Sequence, residues 1–523
     1  MKTSLLAVVT GVLTVTSAAA QTFLNIQINS DTSGNLHNEE QVVANPLDSS
    51  NVVAVWRDFR LGYRRVGAGY SFDGGLTWHD TLLEDDHFPR HSDPGLTVDA
   101  AGNFHATILS YTGNTSEPNG LYVQTSTDGG MTWGPSIAVV ESVPGVFEDK
   151  QLIACDRADS SPYIGNLYCV WARFYATQIM FNRSTDGNRS WGTPLAISDG
   201  PASRQWPVPA VGPNGEVYCA WCHLSSPRSI RFDRSTDGGL TWDDDITVQD
   251  VQFGSGYIQP SVSVFSFPAM DVDITQGPRR GWLYIAYMDR AQSGNGTNIF
   301  FTRSTDKGTT WSPRVKINDD PDNGKDHFHP WLCVDRKGDI TAAWYDRRLD
   351  PGNMLMDIYM AQSFNGGDSW TDNVRVSNVS SDPRLFPPFD RTGPGGRPRP
   401  LAGRLGEYNG LWAVSRDRVY AVWADTRNGH PDIFIGTRDT STAVAELPKP
   451  QVPAASATPN PLLRHVEFHG CGPGTPVRVF DRNGLLVATV ATTRIWDAGR
   501  LPAGVYLAVP AQGAAPLKLV KTH

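Results

Sequence analysis

Six cysteines in 523 residues are too few for a disulfide scaffold to organise a chain of this size, although one or two bridges are compatible with that number. Cys219-Ala-Trp-Cys222 has the spacing of a metal or redox pair. It lies in a strand-like run, where residues three apart point to opposite faces, so buried strand cysteines are expected. Basic charge is also short: 45 Lys and Arg against 54 Asp and Glu leave a formal charge of -9 and no basic stripe. That excludes nucleic acid as an expected partner. No long amphipathic helix is evident. Beyond the N-terminus, no apolar run approaches the roughly 20 residues needed to cross a bilayer as a helix.

Turn formers and tryptophan are abundant, with 50 Gly, 37 Pro and 16 Trp. Gly and Pro punctuate turns and Trp fills interiors between sheets, which favours many short strands. Residues 1–20 carry Lys2, an apolar stretch from Leu5 to Val15 and Ala18-Ala19-Ala20, the pattern of a secretory signal peptide. The mature chain is expected to start near Gln21 and to be secreted or held at the cell surface.

The governing signal is Ser-x-Asp-Gly-Gly-x-Thr-Trp. It recurs as Ser71 to Trp78, Ser126 to Trp133, Ser184 to Trp191, Ser235 to Trp242, Ser304 to Trp311 and Ser363 to Trp370, with Asn365 replacing the Asp in the last copy. Repetition every 51 to 69 residues marks one supersecondary unit used many times. The Asp can accept bonds from backbone N–H groups ahead of it, and the glycines permit positive φ, so the motif reads as a tight hairpin turn. Second strands of seven units can be picked out: Val52 to Trp56, Asn103 to Leu109, Leu167 to Trp171, Val217 to Trp221, Trp282 to Tyr287, Ile340 to Trp344 and Val419 to Trp423. Four strands per unit give one propeller blade. The last unit has three strands, and Phe23 to Asn29 is a lone strand-like segment. The expected fold is therefore all-β, a seven-bladed β-propeller over residues 22–440 whose last blade is completed by the N-terminal strand, which removes an open edge.

These motifs resemble the Asp boxes, or BNR repeats, of the sialidase-like propeller superfamily, over roughly residues 22–440. Sialidases proper have six blades, one fewer than this chain. Residues 441–458, rich in Ala, Pro, Ser and Thr, read as a linker. Residues 459–523 show short alternating strands with Gly turns, a small β-sandwich. Down to Leu517-Lys-Leu-Val-Lys521 this tail resembles the C-terminal sorting domain of type IX secretion substrates, which implies outer-membrane transit and surface attachment.

In propellers of the superfamily the Asp boxes lie opposite the ligand funnel, so the segments leading into the inner strands are the ones that matter. They are His37-Asn-Glu39-Glu40, His87 to Asp93, Glu148-Asp149-Lys150, Arg204-Gln-Trp206, Asp326-His327-Phe-His329 and Arg404-Leu-Gly-Glu407-Tyr408. The resemblance implies an extracellular glycoside hydrolase of exo-sialidase type. In it Arg90, Arg204 and Arg404, with His91 and Glu148, would hold the substrate. Glu407 and Tyr408 would serve as activator and nucleophile, and Asp93 as acid/base. The family's arginine motif, with Arg followed by Ile-Pro, is absent, and adjacent strand residues such as Glu407 and Tyr408 should diverge. His91, His327 and His329 near Tyr408 suit instead a polysaccharide lyase acting on uronates. A third reading is a non-catalytic propeller that binds glycan or protein. No metal is assigned: His327-x-His329 lacks an evident third ligand, although Asp93 or His91 could approach from another blade. No cofactor is expected; calcium is compatible with such propellers, but no EF-hand-type motif supports it. Trp56-x-Asp58-x-Arg60, Trp344-x-Asp346-x-Arg348 and Trp423-x-Asp425-x-Arg427 read as ion pairs between neighbouring blades, and Asp243-Asp244-Asp245 as a solvated loop.

Overall fold

The computed structural model describes residues 23–113, 118–291, 294–386 and 405–439, and shorter stretches of the C-terminal unit between 456 and 521. The proposed signal peptide, most of the linker and Arg404 lie outside the described residues. The chain divides into two compact units, residues 1–440 and 441–523.

The first unit is a seven-bladed propeller of antiparallel four-stranded sheets. The innermost strands are, in blade order, His37–Ala44, Arg90–Ser92 continued by Leu96–Val98, Phe147–Cys155, Arg204–Val211, Ala269–Val272, His327–Val334 and Gly410–Ser415. All seven second strands read from the sequence are present, and each opens on or follows an almost fully buried apolar run such as Val52 to Trp56. The ring closes as expected. Leu24–Gln27 pairs antiparallel with Phe434–Thr437 as the outer strand of blade 7, and Phe23 and Ile28 are buried beside it. An extra hairpin, Ser255–Ile258 with Val262–Phe265, stands between blades 4 and 5. Its only advance sign is the longest gap between Asp boxes.

Each Asp box closes the turn between the third and outer strands by the expected chemistry. Asp73 Oδ1 accepts from the N–H groups of Leu76 and Thr77 at 3.0 and 2.9 Å, and its Oδ2 takes the Thr77 hydroxyl at 2.6 Å. Gly74 and Gly75 adopt φ of 75° and 84°, and Trp78 folds back to donate to the Gly75 carbonyl. Asn365 reproduces the pattern with its amide: Oδ1 accepts from the Ser369 N–H and Nδ2 donates to the Ser369 hydroxyl.

The Trp-x-Asp-x-Arg motifs are structural, but their pairing corrects the expectation. It runs mainly within one blade. Asp58 receives Trp56 Nε1 at 2.8 Å and Arg60 at 2.7 Å, and Arg60 continues to Asp80 of the same sheet. Asp346 and Asp425 repeat this with Trp344 and Arg348, and with Trp423 and Arg427. Arg348 alone of the three reaches a neighbouring blade's carboxylates, Asp319 and Asp320. Cys219 and Cys222 are both buried, and they pack into different hydrophobic clusters, as opposite strand faces require. The five described cysteines are unbridged.

The second unit consists of two small sheets. One orders Ser456–Thr458, His465–His469 and Trp496–Asp497; the other orders Leu486–Ala491, Pro476–Phe480, Gly504–Pro510 and Leu517–Lys521.

Candidate functional site

Five innermost strands are bulged at the same place, and at each bulge one non-glycine residue takes a left-handed backbone: Glu39, Asp93, Lys150, Trp206 and His329, with φ between 47° and 59°. The ladder register slips at these points in blades 1, 3, 4 and 6 and is interrupted there in blade 2. Glycine or asparagine would fill such a position most cheaply. Acids, a lysine, a tryptophan and a histidine stand there instead, and the bulge turns their side chains to the propeller axis.

Contacts between non-adjacent blades show where they meet. Lys150 Nζ of blade 3 lies 2.5 Å from Asp93 of blade 2, 3.2 Å from Glu407, which leads into blade 7, and 3.5 Å from Glu39 of blade 1. Trp206 Nε1 of blade 4 donates to Glu407 at 2.9 Å. Arg57 lies 3.0 Å from Glu39 and bonds Asn38 and Ser92. An aromatic side completes the cluster: Phe265 from the extra hairpin packs 4.5 Å from Trp206 and stacks on His329 at 6.1 Å between centroids. The hairpin is held across this side, with the Gln259 carbonyl accepting from Arg347 and its amide donating to the carbonyls of Gly352 and Asn353. Asp93, Lys150 and Glu407 are each at most 6% exposed, so the cluster is shielded from bulk water.

Burial splits the carboxyl groups. Glu39 is pushed well above the ordinary carboxyl value, first by desolvation and then by Asp93, against the pull of Arg57 and Lys150. Asp93 goes the other way: burial opposes its charge, but Lys150, a bond from Glu39 and Arg57 hold it low. The two carboxyl groups are thus driven in opposite directions, Glu39 upward and Asp93 downward. Burial alone would depress Lys150, yet Asp93, Glu39 and Glu407 outweigh it and keep the ammonium charged.

Of the residues singled out from the sequence, the structure brings Asp93, Glu407, Tyr408 and His329 to the axis. Glu407 and Tyr408 serve different partners, for the Tyr408 hydroxyl donates to the Pro94 carbonyl at 2.9 Å and burial drives its ionisation far upward. His329 is held near 4 by burial, hence neutral.

The remaining candidates lie elsewhere. His327 Nδ1 meets the Thr297 carbonyl of blade 5, and its Nε2 sits 3.0 Å from Asp320 and 3.4 Å from Asp346. His37 repeats this arrangement at the seam of blades 7 and 1, with Pro431, Asp31 and Asp58. Repetition marks it as a seam fixture. Asp320, His327 and Asp346 have metal-ligand spacing, but Arg348 already lies against both carboxylates and Trp344 donates to Asp346. Glu148 is occupied by Trp171 and Arg173. His91 is lodged between Arg65 and the Phe88 carbonyl and held near 4, first by burial. Arg90 is exposed. Arg204 does not join the cluster: its guanidinium donates to the carbonyls of Thr177, Asp199, Gly200 and Ala202. Glu39, Lys150 and Trp206 stood in the segments read as leading into the funnel but were given no role, and Arg57 and Phe265 were missed. The signal for the first three was their shared offset within the repeat.

No protein-family model matches the chain, and no curated protein matches it. Among solved structures it is similar to the NanB sialidase of Streptococcus pneumoniae, with 10% identity, 61% of this chain and 66% of that chain covered, and a TM-score of 0.44. It is also similar to an intramolecular trans-sialidase of Ruminococcus gnavus, with 13% identity, 60% and 91% covered, and 0.43. An α-L-arabinofuranosidase of Fusarium graminearum gives 13% identity, 81% and 100% covered, and 0.44. At these scores the likenesses decide nothing about chemistry, which rests on this chain's own residues.

Proposed function

We propose that this is an extracellular glycan-processing propeller, a glycoside hydrolase whose proton donor is Glu39. The observation that carries the reading is the set of charged and aromatic side chains placed, at a backbone cost, on one axis by repeated bulges. Strain and buried charge kept together are a mark of functional sites. In this reading Glu39, whose carboxyl is pushed upward by burial, holds the proton and gives it to a leaving-group oxygen. Glu407, held by Lys150 and Trp206, would be the second carboxylate of the pair. Trp206 and Phe265 offer apolar faces to the ring. A three-arginine clamp for a sugar carboxylate has weak support, since Arg57 is the guanidinium at the cluster and Arg204 is engaged elsewhere. We further propose that residues 1–20 direct export and that the C-terminal unit serves sorting or surface attachment.

The full mature chain, incubated with a broad glycan panel, should release reducing sugar, and Glu39→Gln should lower the rate by about a hundred- to ten-thousand-fold. A second reading, a binding propeller without turnover, draws on the mutual pairing of the cluster. Glycan binding with no product from any substrate would favour it and overturn hydrolysis, and unsaturated products absorbing in the ultraviolet would make the protein a lyase.

A further inference from the structure

The residue two places before the Asp-box serine occupies an equivalent site in the six blades that carry the box: Gly69, Gln124, Asn182, Asp233, Thr302 and Ala361. Where this residue has a long enough side chain it donates to main-chain carbonyls. Asn182 gives its amide to Val139 and Gly192 at 2.7 and 2.9 Å, Thr302 its hydroxyl to Ser312 at 2.7 Å, and Gln124 its amide to Glu84. Asp233 follows Asn182 in its first oxygen: Oδ1 accepts from the next residue's N–H at 2.6 Å, as Asn182 Oδ1 does at 2.8 Å. Its Oδ2 then stands where Asn182 has its donor. A carboxylate has none to give.

Asp233 is fully buried and its Oδ2 has no hydrogen-bond partner. The same holds for Oδ1 of Asp245, which the repeat places alongside: Asp245 follows Trp242 by three residues as Ser136 follows Trp133, and Ser136 bonds Gln124 at 2.9 Å. The expectation of a solvated Asp243-Asp244-Asp245 loop thus holds for its first two residues and fails for the third, which turns inward. A third carboxylate, Asp199, exchanges backbone N–H bonds with Asp245. The nearby guanidinium groups are committed, Arg204 to four carbonyls, Arg231 to Ser229 and Arg234 to Asp243. Among the described residues none forms an ion pair with Asp233 or Asp245.

We infer that the seam between blades 3 and 4 is a site for a hard divalent cation of calcium's kind, bound by the inward oxygens of Asp233 and Asp245 and by main-chain carbonyls that side-chain donors satisfy in other blades. All-oxygen ligation by carboxylates and carbonyls suits calcium and leaves room for water. Desolvation and the facing carboxylates push Asp233 up to about 8 and Asp245 up to about 6, as acids do when their counter-charge is missing.

The test uses the full chain, freed of metal by chelator and then given millimolar calcium, magnesium or more chelator. Asp233→Asn and Asp245→Ser restore the residues that blades 3 and 2 carry at these positions, so both variants should fold. Calcium should raise the wild-type unfolding midpoint by a few degrees and give a saturable heat on titration. Both variants should lose the rise, and in chelator Asp233→Asn should be at least as stable as wild type. No shift and no saturable heat in the wild type, or a full shift in Asp233→Asn, would overturn the site. Neither outcome depends on Glu39 chemistry.

Discussion

At the scale of single residues, the chemistry is governed by where one proton and one counter-charge are held. Glu39 and Asp93 are both carboxyl groups in a dry cluster, and Lys150, nearer to Asp93, decides which stays ionised. A carboxyl whose folded value is raised binds more protons in the folded state than in the unfolded state above the ordinary value of 4.5. Its contribution is therefore intact below about 4.5 and fades as pH climbs toward the raised value. The seam histidines act in the same direction. Burial pulls His37 and His327 down, but hydrogen bonds and attraction from Asp58, and from Asp320 and Asp346, raise both above 6.5. What they contribute is complete below 6.5 and lost as pH rises through their folded values. Between pH 6.5 and 9, above the range in which the lowered His91 and His329 act in the opposite sense, thermal unfolding should show a falling midpoint, and Glu39→Gln should flatten the fall. A variant as steep as wild type would mean that Glu39 is ionised throughout.

At the scale of elements, the Asp box and the extra hairpin serve different ends. In the box a carboxylate gathers two N–H groups and a hydroxyl at a tight turn, much as a cap does at a helix start. Asn365 performs the same task, so Asp237→Asn should be nearly neutral in denaturant unfolding. Asp237→Ala, which loses bonds to Leu240 and Thr241, should cost about 1 kcal/mol. Equal costs would show that the side-chain oxygen is not what secures the turn. The hairpin Ser255–Ile258 with Val262–Phe265 covers the axial cluster through Phe265 and is tied to blade 6 through Gln259. Replacing residues 255–265 by a short Gly-Ser linker should speed amide hydrogen exchange in Arg204–Val211 while the outer strands stay protected. Unchanged exchange there would remove the hairpin from any part in shielding the site.

At the scale of the whole molecule, ring closure depends on four residues that arrive first in the chain and pair with the last blade. Ile28 is 2% exposed and reaches toward Gly69 in blade 1, so it also ties blade 7 to its neighbour. Ile28→Ala should destabilise the propeller by about 2–4 kcal/mol in denaturant titration. Removing residues 23–29 should expose a strand edge and promote association in light scattering. A monomeric, fully cooperative protein after that deletion would show the seven blades to be self-sufficient.

The sequence by itself determined the blades, their number and the strand that closes them. Asp-box turns and alternating strands are written in contiguous residues, and their energetics are settled within eight positions. It also brought Asp93, Glu407, Tyr408 and His329 into consideration, because they precede inner strands. The division of labour among them was decided only by the tertiary structure. Lys150 meets carboxylates from three other segments, Trp206 bonds a glutamate 201 residues away, and Arg204 turns to local carbonyls instead of the axis. Whether a buried charge is a partner, a proton donor or a seam fixture depends on what faces it across the ring. That is a property of curvature and bulge position, to which no single stretch of chain has access.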